Sequence, residues 1–206
     1  MCKVHIDKSE LLFIIFAIMS IKVQKLSFTT IVRYAHDFYH VLDTNRERLT
    51  PYFFWTSRRI TPNFAQSLAF MFLNLFQAKI KYIEHKIYAT TYPEQFVILN
   101  QNKVAGMIGL DKIDPFLHDA EVWYWVSHPN EGHGVATNAL KQIEEHSSAT
   151  LNLNSLYACV IRDNERSKKM LEHNQYEITD IKYNVPISER NHRIVDMLYY
   201  RKKLER

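Results

Sequence analysis

The sequence predicts an α/β fold in which a mixed, mostly antiparallel central sheet is flanked by helices. Three observations predict it. "QFVILN" and "VAGMIGLDKID" read as strands joined by the polar turn "QNK", which makes an antiparallel hairpin. Strand-like and helix-like segments then alternate to the end of the chain, as a layered α/β structure requires. With 206 residues, 47% hydrophobic and 23% charged, the chain has an ordinary globular composition and enough length for one sizeable core.

Residues 1–20 read as an N-terminal extension or as the opening strand. The run "LLFIIFAIM" is too short to span a bilayer. It also lacks the strongly basic start and small-x-small cleavage site of a signal peptide, so no membrane association is expected. Both "KVHIDK" and "IKVQKL" can supply an opening strand. From residue 21 to 206 no repeat, low-complexity tract or Pro/Gly/Ser linker divides the chain, and a single domain is expected. "IKVQKLSF" alternates as a strand. "RYAHDFYHVLDTNRERL" sets Ala35, Phe38, Tyr39, Leu42 and Leu49 near helical spacing, with Pro51 ending the helix. A second helix begins after Pro62, with Asn63 as its cap and a wide apolar stripe for packing on a sheet. The hairpin follows, then the aromatic strand "DAEVWYWVS", a loop, and a helix from about Gly134 to His146. "SLYACVI" reads as a buried strand and "RDNERSKKMLEHN" as a short helix. "YEITDIKYNV" and "RIVDMLYYRKKL" close the sheet as a pair of strands.

The formal net charge is +4, and the pI near 8.9 comes from scattered Lys and Arg. That balance suits an anionic ligand and gives no reason to expect nucleic-acid binding. Cys2 and Cys159 lie far apart without metal-ligand spacing, and the chain has no Asn-x-Ser/Thr sequon, so a reducing cytoplasm is the simplest compartment. His36 and His40 stand four apart on one helix but lack a third ligand at a matching spacing, and no metal site is expected. A nucleophilic hydrolase is also disfavoured: there is no Gly-x-Ser-x-Gly, and Cys159 lies in a buried-looking strand, where a thiol is usually inert.

The segment "WYWVSHPNEGHGVATNAL" holds two of the four glycines in the chain, one residue apart. Glycine serves positive φ or close backbone approach. After Gly134 the apolar residues Val135, Ala136, Ala139, Leu140 and Ile143 give one helical face. The loop therefore feeds a helix N-terminus, where unpaired N–H groups and the macrodipole favour a phosphate. Dinucleotide sites and plain structural turns share this pattern. The P-loop lysine is absent, and the preceding antiparallel meander argues against a parallel dinucleotide-binding unit.

The stretch "EVWYWVSHPNEGHGVATNAL" resembles the strand, loop and helix of the GNAT superfamily of N-acetyltransferases, specifically the ribosomal-protein N-terminal acetyltransferase (RimJ/RimL-like) type. The resemblance extends from "DTNRERLTPYFFW" through "GMIGLDKID" and "RDNERSKKMLEHNQYE" and covers roughly residues 36–204. It implies the GNAT fold and acetyl-coenzyme A (acetyl-CoA) as co-substrate. The pyrophosphate would rest on the backbone of Glu131, Gly132, His133, Gly134, Val135 and Ala136, with Thr137 nearby. The pantetheine arm would bond to Trp125, Val126 and Ser127 on a strand that splays from its neighbour. Glu131 stands where a Gln or Arg is usual, and His133 replaces a common Lys or Arg. Near several phosphate charges both changes are expected to weaken binding.

Acetyl transfer to an amine needs a neutral amine, a donor for the developing oxyanion and a proton for the departing thiolate. The resemblance assigns the oxyanion donor to the Val126 N–H, a coenzyme contact to Asn164, and a place beside the sulfur to Ser167, a candidate proton donor. Read alone, the segment is a helix start capped by Asp163 or Asn164, with Ser167 on a solvated face. Glu121 is the candidate base or water-positioning carboxylate, or else one half of a strand-end ion pair. Asn45, Arg46 and Trp55 are expected beside the acceptor, although aromatic clusters such as the one around Phe53 and Phe54 more often form core. The resulting expectation is an N-acetyltransferase acting on the α-amino group of a protein or peptide. Acetylation of a small amine, such as a polyamine or aminoglycoside, and a non-catalytic coenzyme A-binding module are the alternatives. A monomer or homodimer suits each of them.

Overall fold

The computed structural model describes residues 21–53, 93–188 and 193–205, without the side chains of Phe28 and Ser188. The expected helix after Pro62, the run "LLFIIFAIM", Phe54 and Trp55 lie outside the described residues.

The elements run β1 (Ile21–Lys25), α1 (Phe28–Thr44), α2 (Arg46–Leu49), β2 (Glu94–Asn100), β3 (Lys103–Asp114), β4 (Asp119–Val126), α3 (Val135–Ala149), β5 (Ser155–Ile161), α4 (Glu165–His173), β6 (Glu177–Ser188) and β7 (Arg193–Lys203). The seven strands form one sheet in the order β1-β2-β3-β4-β5-β7-β6. Every pairing is antiparallel except β4 with β5, which is parallel. A parallel neighbour needs a crossover; the loop and α3 provide it.

Helix α1 starts five residues earlier than its apolar periodicity suggests. The Ser27 side chain accepts the Thr30 N–H at 3.2 Å and caps the helix, so the chain leaves the strand at Lys25 rather than at Phe28. The helix then stops at Thr44, where Asn45 takes a non-helical conformation (φ −107°, ψ 3°) and Nδ2 donates to Val41 O at 2.8 Å. A side-chain amide that bonds its own backbone competes with helix continuation. The single helix expected as far as Leu49 is therefore two.

Helix α1 buries Ile31, Tyr34, Ala35, Phe38 and Leu42 against Val97, Leu99, Val104, Met107 and Trp125 on one face of the sheet. Helix α3 buries Val135, Ala139, Leu140 and Ile143 against the other face, where Phe96, Ile98, Ile108, Leu110, Ala120 and Val122 point. Phe96 to Leu99 are thus buried consecutively, alternate residues facing opposite layers. That explains why β2 reads as a continuous apolar run rather than an alternating one. Gln142 of α3 accepts the Val23 N–H at 3.0 Å and donates to Ile21 O at 3.1 Å, fastening the edge strand β1 to the helix layer.

Candidate active site

β4 and β5 pair over only three positions, Asp119 with Ser155, Ala120 with Leu156, and Glu121 with Tyr157. Beyond Glu121 the two strands separate. The Ser127 N–H donates to Ala105 O at 2.8 Å, and Val126 is opposite Gly106 in the antiparallel register with β3. Antiparallel alternation therefore directs the backbone groups of Trp125 and Ser127 toward β3 and those of Val126 and Tyr124 into the gap. Of the three expected arm contacts, only Val126 directs its backbone groups to the opening, and its C=O is already taken by Arg48 Nη2 at 2.6 Å.

The gap leads into the glycine loop. A 3₁₀ turn, His128–Asn130, precedes the glycines. Gly132 and Gly134 both take positive φ, 74° and 72°, and Gly134 is the N-cap of α3. Helical bonding begins with the Asn138 N–H to Gly134 O at 2.9 Å. The N–H groups of Val135, Ala136 and Thr137 thus lack intrahelical acceptors and lie at the positive end of the dipole. Gly132, His133 and Gly134 are exposed, and a Cβ on Gly132 would meet nothing within 4 Å. The pair is needed for left-handed backbone, and it leaves the cradle open. The Thr137 hydroxyl is turned inward, accepting from Asn174 Nδ2 at 3.3 Å.

Glu131 does not stand alone. Arg48 of α2 bonds one of its carboxylate oxygens, Arg166 of α4 donates to the other at 2.6 Å, and His128 Nδ1 is 3.3 Å from it. The two guanidiniums and one carboxylate sum to +1 (2 − 1), so the acidic residue is overcompensated beside the helix N-terminus. Arg48 Nη2 also donates to Val126 O at 2.6 Å and to Asn45 Oδ1 at 3.2 Å. Asn45 Oδ1 in turn accepts the His128 N–H at 2.7 Å. Asn45 and Arg46 are buried, and Arg46 Nε donates to Asp43 at 2.9 Å. Asn45 links α1 to the glycine loop; its described bonds go to the protein's own backbone, to Arg48 and to the Thr44 hydroxyl.

Across the gap, the Asn164 side chain caps α4 by accepting the Ser167 N–H at 3.3 Å. Ser167 is half-buried rather than solvated, and its Oγ lies 2.8 Å from the Tyr124 hydroxyl. Burial pushes the Tyr124 hydroxyl well above the ordinary tyrosine range. On the opposite face of the sheet, Glu121 accepts from Lys112 Nζ at 2.6 Å. Burial opposes the Lys112 charge, but the hydrogen bond and charge of Glu121 outweigh it and hold the ammonium above its usual range. Burial and the Glu121 carboxylate push the neighbouring Tyr157 and Cys159 each up to about 12. His36 and His40 are exposed on α1, and among the described residues no group of three His, Cys, Asp or Glu is placed to hold a metal ion. No helix among the described residues is long and apolar enough to cross a membrane.

Sequence reading missed Arg48, Tyr124 and Arg166. Arg48 and Arg166 are ordinary helix-surface charges in sequence, and only chain folding brings them to Glu131.

The acetyltransferase (GNAT) domain family matches residues 32–177, and the chain belongs to that family. A curated relative, the ribosomal-protein-serine acetyltransferase of Escherichia coli (strain K12), is 25% identical over 85 residues, which cover 41% of this chain and 48% of the relative. The chain therefore matches about half of that relative's length. Among solved structures, the microcin C7 self-immunity acetyltransferase MccE, in complex with acetyl-CoA and AMP, superposes with a TM-score of 0.70 at 20% identity, covering 89% of this chain and 92% of that one. RimL, a ribosomal L7/L12 α-N-protein acetyltransferase in complex with coenzyme A, superposes with a TM-score of 0.71 at 14% identity, covering 90% and 94%. These structural likenesses define the GNAT fold.

Proposed function

We propose that the chain is a RimJ/RimL-like N-acetyltransferase of the cytoplasm, transferring an acetyl group from acetyl-CoA to the α-amino group of a protein or peptide. One observation carries this reading: the gap between β4 and β5 opens at Val126 and runs directly into the N-terminus of α3. A thioester arm lying in the gap and an anionic tail at the helix end would be held by one continuous run of backbone groups. The site fits such a ligand, because the first-turn N–H groups of α3 need acceptors and the Arg48–Glu131–Arg166 group carries net positive charge. Val135, Ala136 and the glycine loop would take the phosphates, and Val126 the arm. The Val126 N–H is aimed where negative charge develops on the acetyl oxygen. Asn164 fixes the turn that presents Ser167 to the leaving sulfur.

The acceptor class follows from proton chemistry. Leaving an α-amine neutral at pH 7 costs roughly 1 kcal/mol, against about 4.6 kcal/mol for a lysine. The carboxylate expected to serve as base, Glu121, is engaged by Lys112, which suits an acceptor that needs little help losing its proton. Curated and structural relatives named for acetylating ribosomal proteins support the same class.

The test is an acetylation assay across peptides with different free N-termini, lysine-bearing peptides with blocked N-termini, and polyamines, beside thermal melts with acetyl-CoA. Turnover with free peptide N-termini is expected. Turnover with polyamines alone replaces the acceptor, stabilisation without turnover makes the chain a binding module, and no stabilisation at millimolar acetyl-CoA overturns the reading.

A further inference from the structure

The Tyr124–Ser167 hydrogen bond crosses from β4 to the helix that follows β5, spanning the strands that part beyond Glu121. Tyr124 packs against the core cluster that includes Leu140, Leu171 and Tyr200, and its hydroxyl meets Ser167. Ser167 is thereby held from two sides. Its backbone N–H bonds Asn164 at 3.3 Å, and its Oγ lies 2.8 Å from the phenol, whose one other near acceptor among the described residues is the Ser167 carbonyl at 3.5 Å. A phenol is a far stronger acid than an alkyl alcohol, so it is the better donor of the two. A serine that accepts from tyrosine keeps its single hydrogen free for something else.

We propose that Tyr124 is the positioning residue for the leaving group: it donates to Ser167 Oγ, and this directs the Ser167 hydrogen at the thioester sulfur. The proposal rests on the acetyltransferase reading and on the place of Ser167 within it. When the amine nitrogen has bonded to the acetyl carbon, the C–S bond breaks and its electron pair goes to sulfur. Ser167 donates a hydrogen bond to the forming thiolate, and Tyr124 polarises that hydroxyl. The proton lost by the amine passes through solvent and ends on sulfur, so Ser167 and Tyr124 begin and end the cycle protonated. The burial that keeps Tyr124 neutral is consistent with this, since a relay through a phenolate would be costly there.

The experiment compares the parent, Tyr124→Phe, Ser167→Ala and the double variant in steady state, with acetyl-CoA and the best peptide from the N-terminal panel. Phe keeps the ring and its packing, and thermal midpoints exclude misfolding. Tyr124→Phe removes a hydrogen bond already present in the resting structure and thereby weakens the bond that Ser167 makes to sulfur chiefly in the transition state, so kcat should fall about 2- to 10-fold with KM for acetyl-CoA unchanged. The double variant should be no slower than Ser167→Ala, because Tyr124 acts through Ser167. An unchanged kcat in Tyr124→Phe beside a slowed Ser167→Ala overturns the positioning role alone. A further loss in the double variant makes Tyr124 a donor in its own right and also overturns it. An unchanged kcat in Ser167→Ala, or no turnover by the parent, removes the reading on which the proposal stands.

Discussion

At the scale of single residues, the acid in the glycine loop is more than a bare charge. Read as a bare charge, Glu131 repels phosphate; in the structure it gathers Arg48 and Arg166 beside the end of α3. Glu131→Gln leaves both guanidiniums unneutralised, and coenzyme A should bind more tightly, with a gain that shrinks as salt is raised because exposed charges are screened. Titration calorimetry at two ionic strengths measures it; weaker binding would mean that the carboxylate is needed to hold the arginines in place. Gly134 tests the backbone instead. At φ 72° a β-branched side chain is strained by roughly 1–2 kcal/mol. Gly134→Val should therefore lower the thermal midpoint modestly and weaken coenzyme A binding, since the cradle depends on that left-handed residue. Binding unchanged from the parent would place the phosphates elsewhere.

At the scale of elements, the break between α1 and α2 aims the site. Asn45 leaves the helical conformation, its amide bonds Val41 O, and its carbonyl receives both the His128 N–H and Arg48. Three parts of the molecule therefore share one buried side chain. Asn45→Ala strands a backbone donor and releases Arg48, at a cost of about 1–3 kcal/mol. For a chain of this size that lowers the midpoint by about 2–4 °C per kcal/mol, and coenzyme A affinity should fall with it because the loop loses its anchor. Asn45→Asp keeps the acceptor and should retain more of the affinity than Asn45→Ala; equal losses would deny the anchoring role.

At the scale of the whole molecule, the face of the sheet around Glu121 contributes to alkaline stability. Tyr157 and Cys159 are pushed up to about 12 in the folded chain, against ordinary values of 10.0 and 9.0. A raised folded pKa means that the native state binds more protons than the unfolded state in that interval. The associated stability is complete below about pH 9 and is lost as pH climbs through 12. Denaturant midpoints should stay level from pH 8 to about 9 and fall from there to pH 11, and Cys159→Ala should flatten the lower part of the decline. A pH-independent midpoint across that range would show that these groups are not buried as described.

Sequence alone determined the local elements. The hairpin at "QNK", the aromatic strand, the glycine pair before α3 and the Asn-x-x-Ser start of α4 depend on neighbouring residues, turn residues and apolar periodicity, all of which are short-range. The fold class and the glycine pair at a helix N-terminus could be read from them. The start of α1 was misread because one capping serine outweighed a strand-like alternation, and the break at Asn45 because its cause includes a bond to the loop 83 residues away. Only the tertiary structure decided which backbone groups of β4 face the gap, since that depends on the register with β3 and on how soon β5 departs. It alone brought Arg48 and Arg166 to Glu131 and Tyr124 to Ser167, contacts spanning 83, 35 and 43 residues. Such pairs leave no trace in any local window. They arise because two helices and a splayed strand pack around one sheet, and packing sets distances that sequence separation does not.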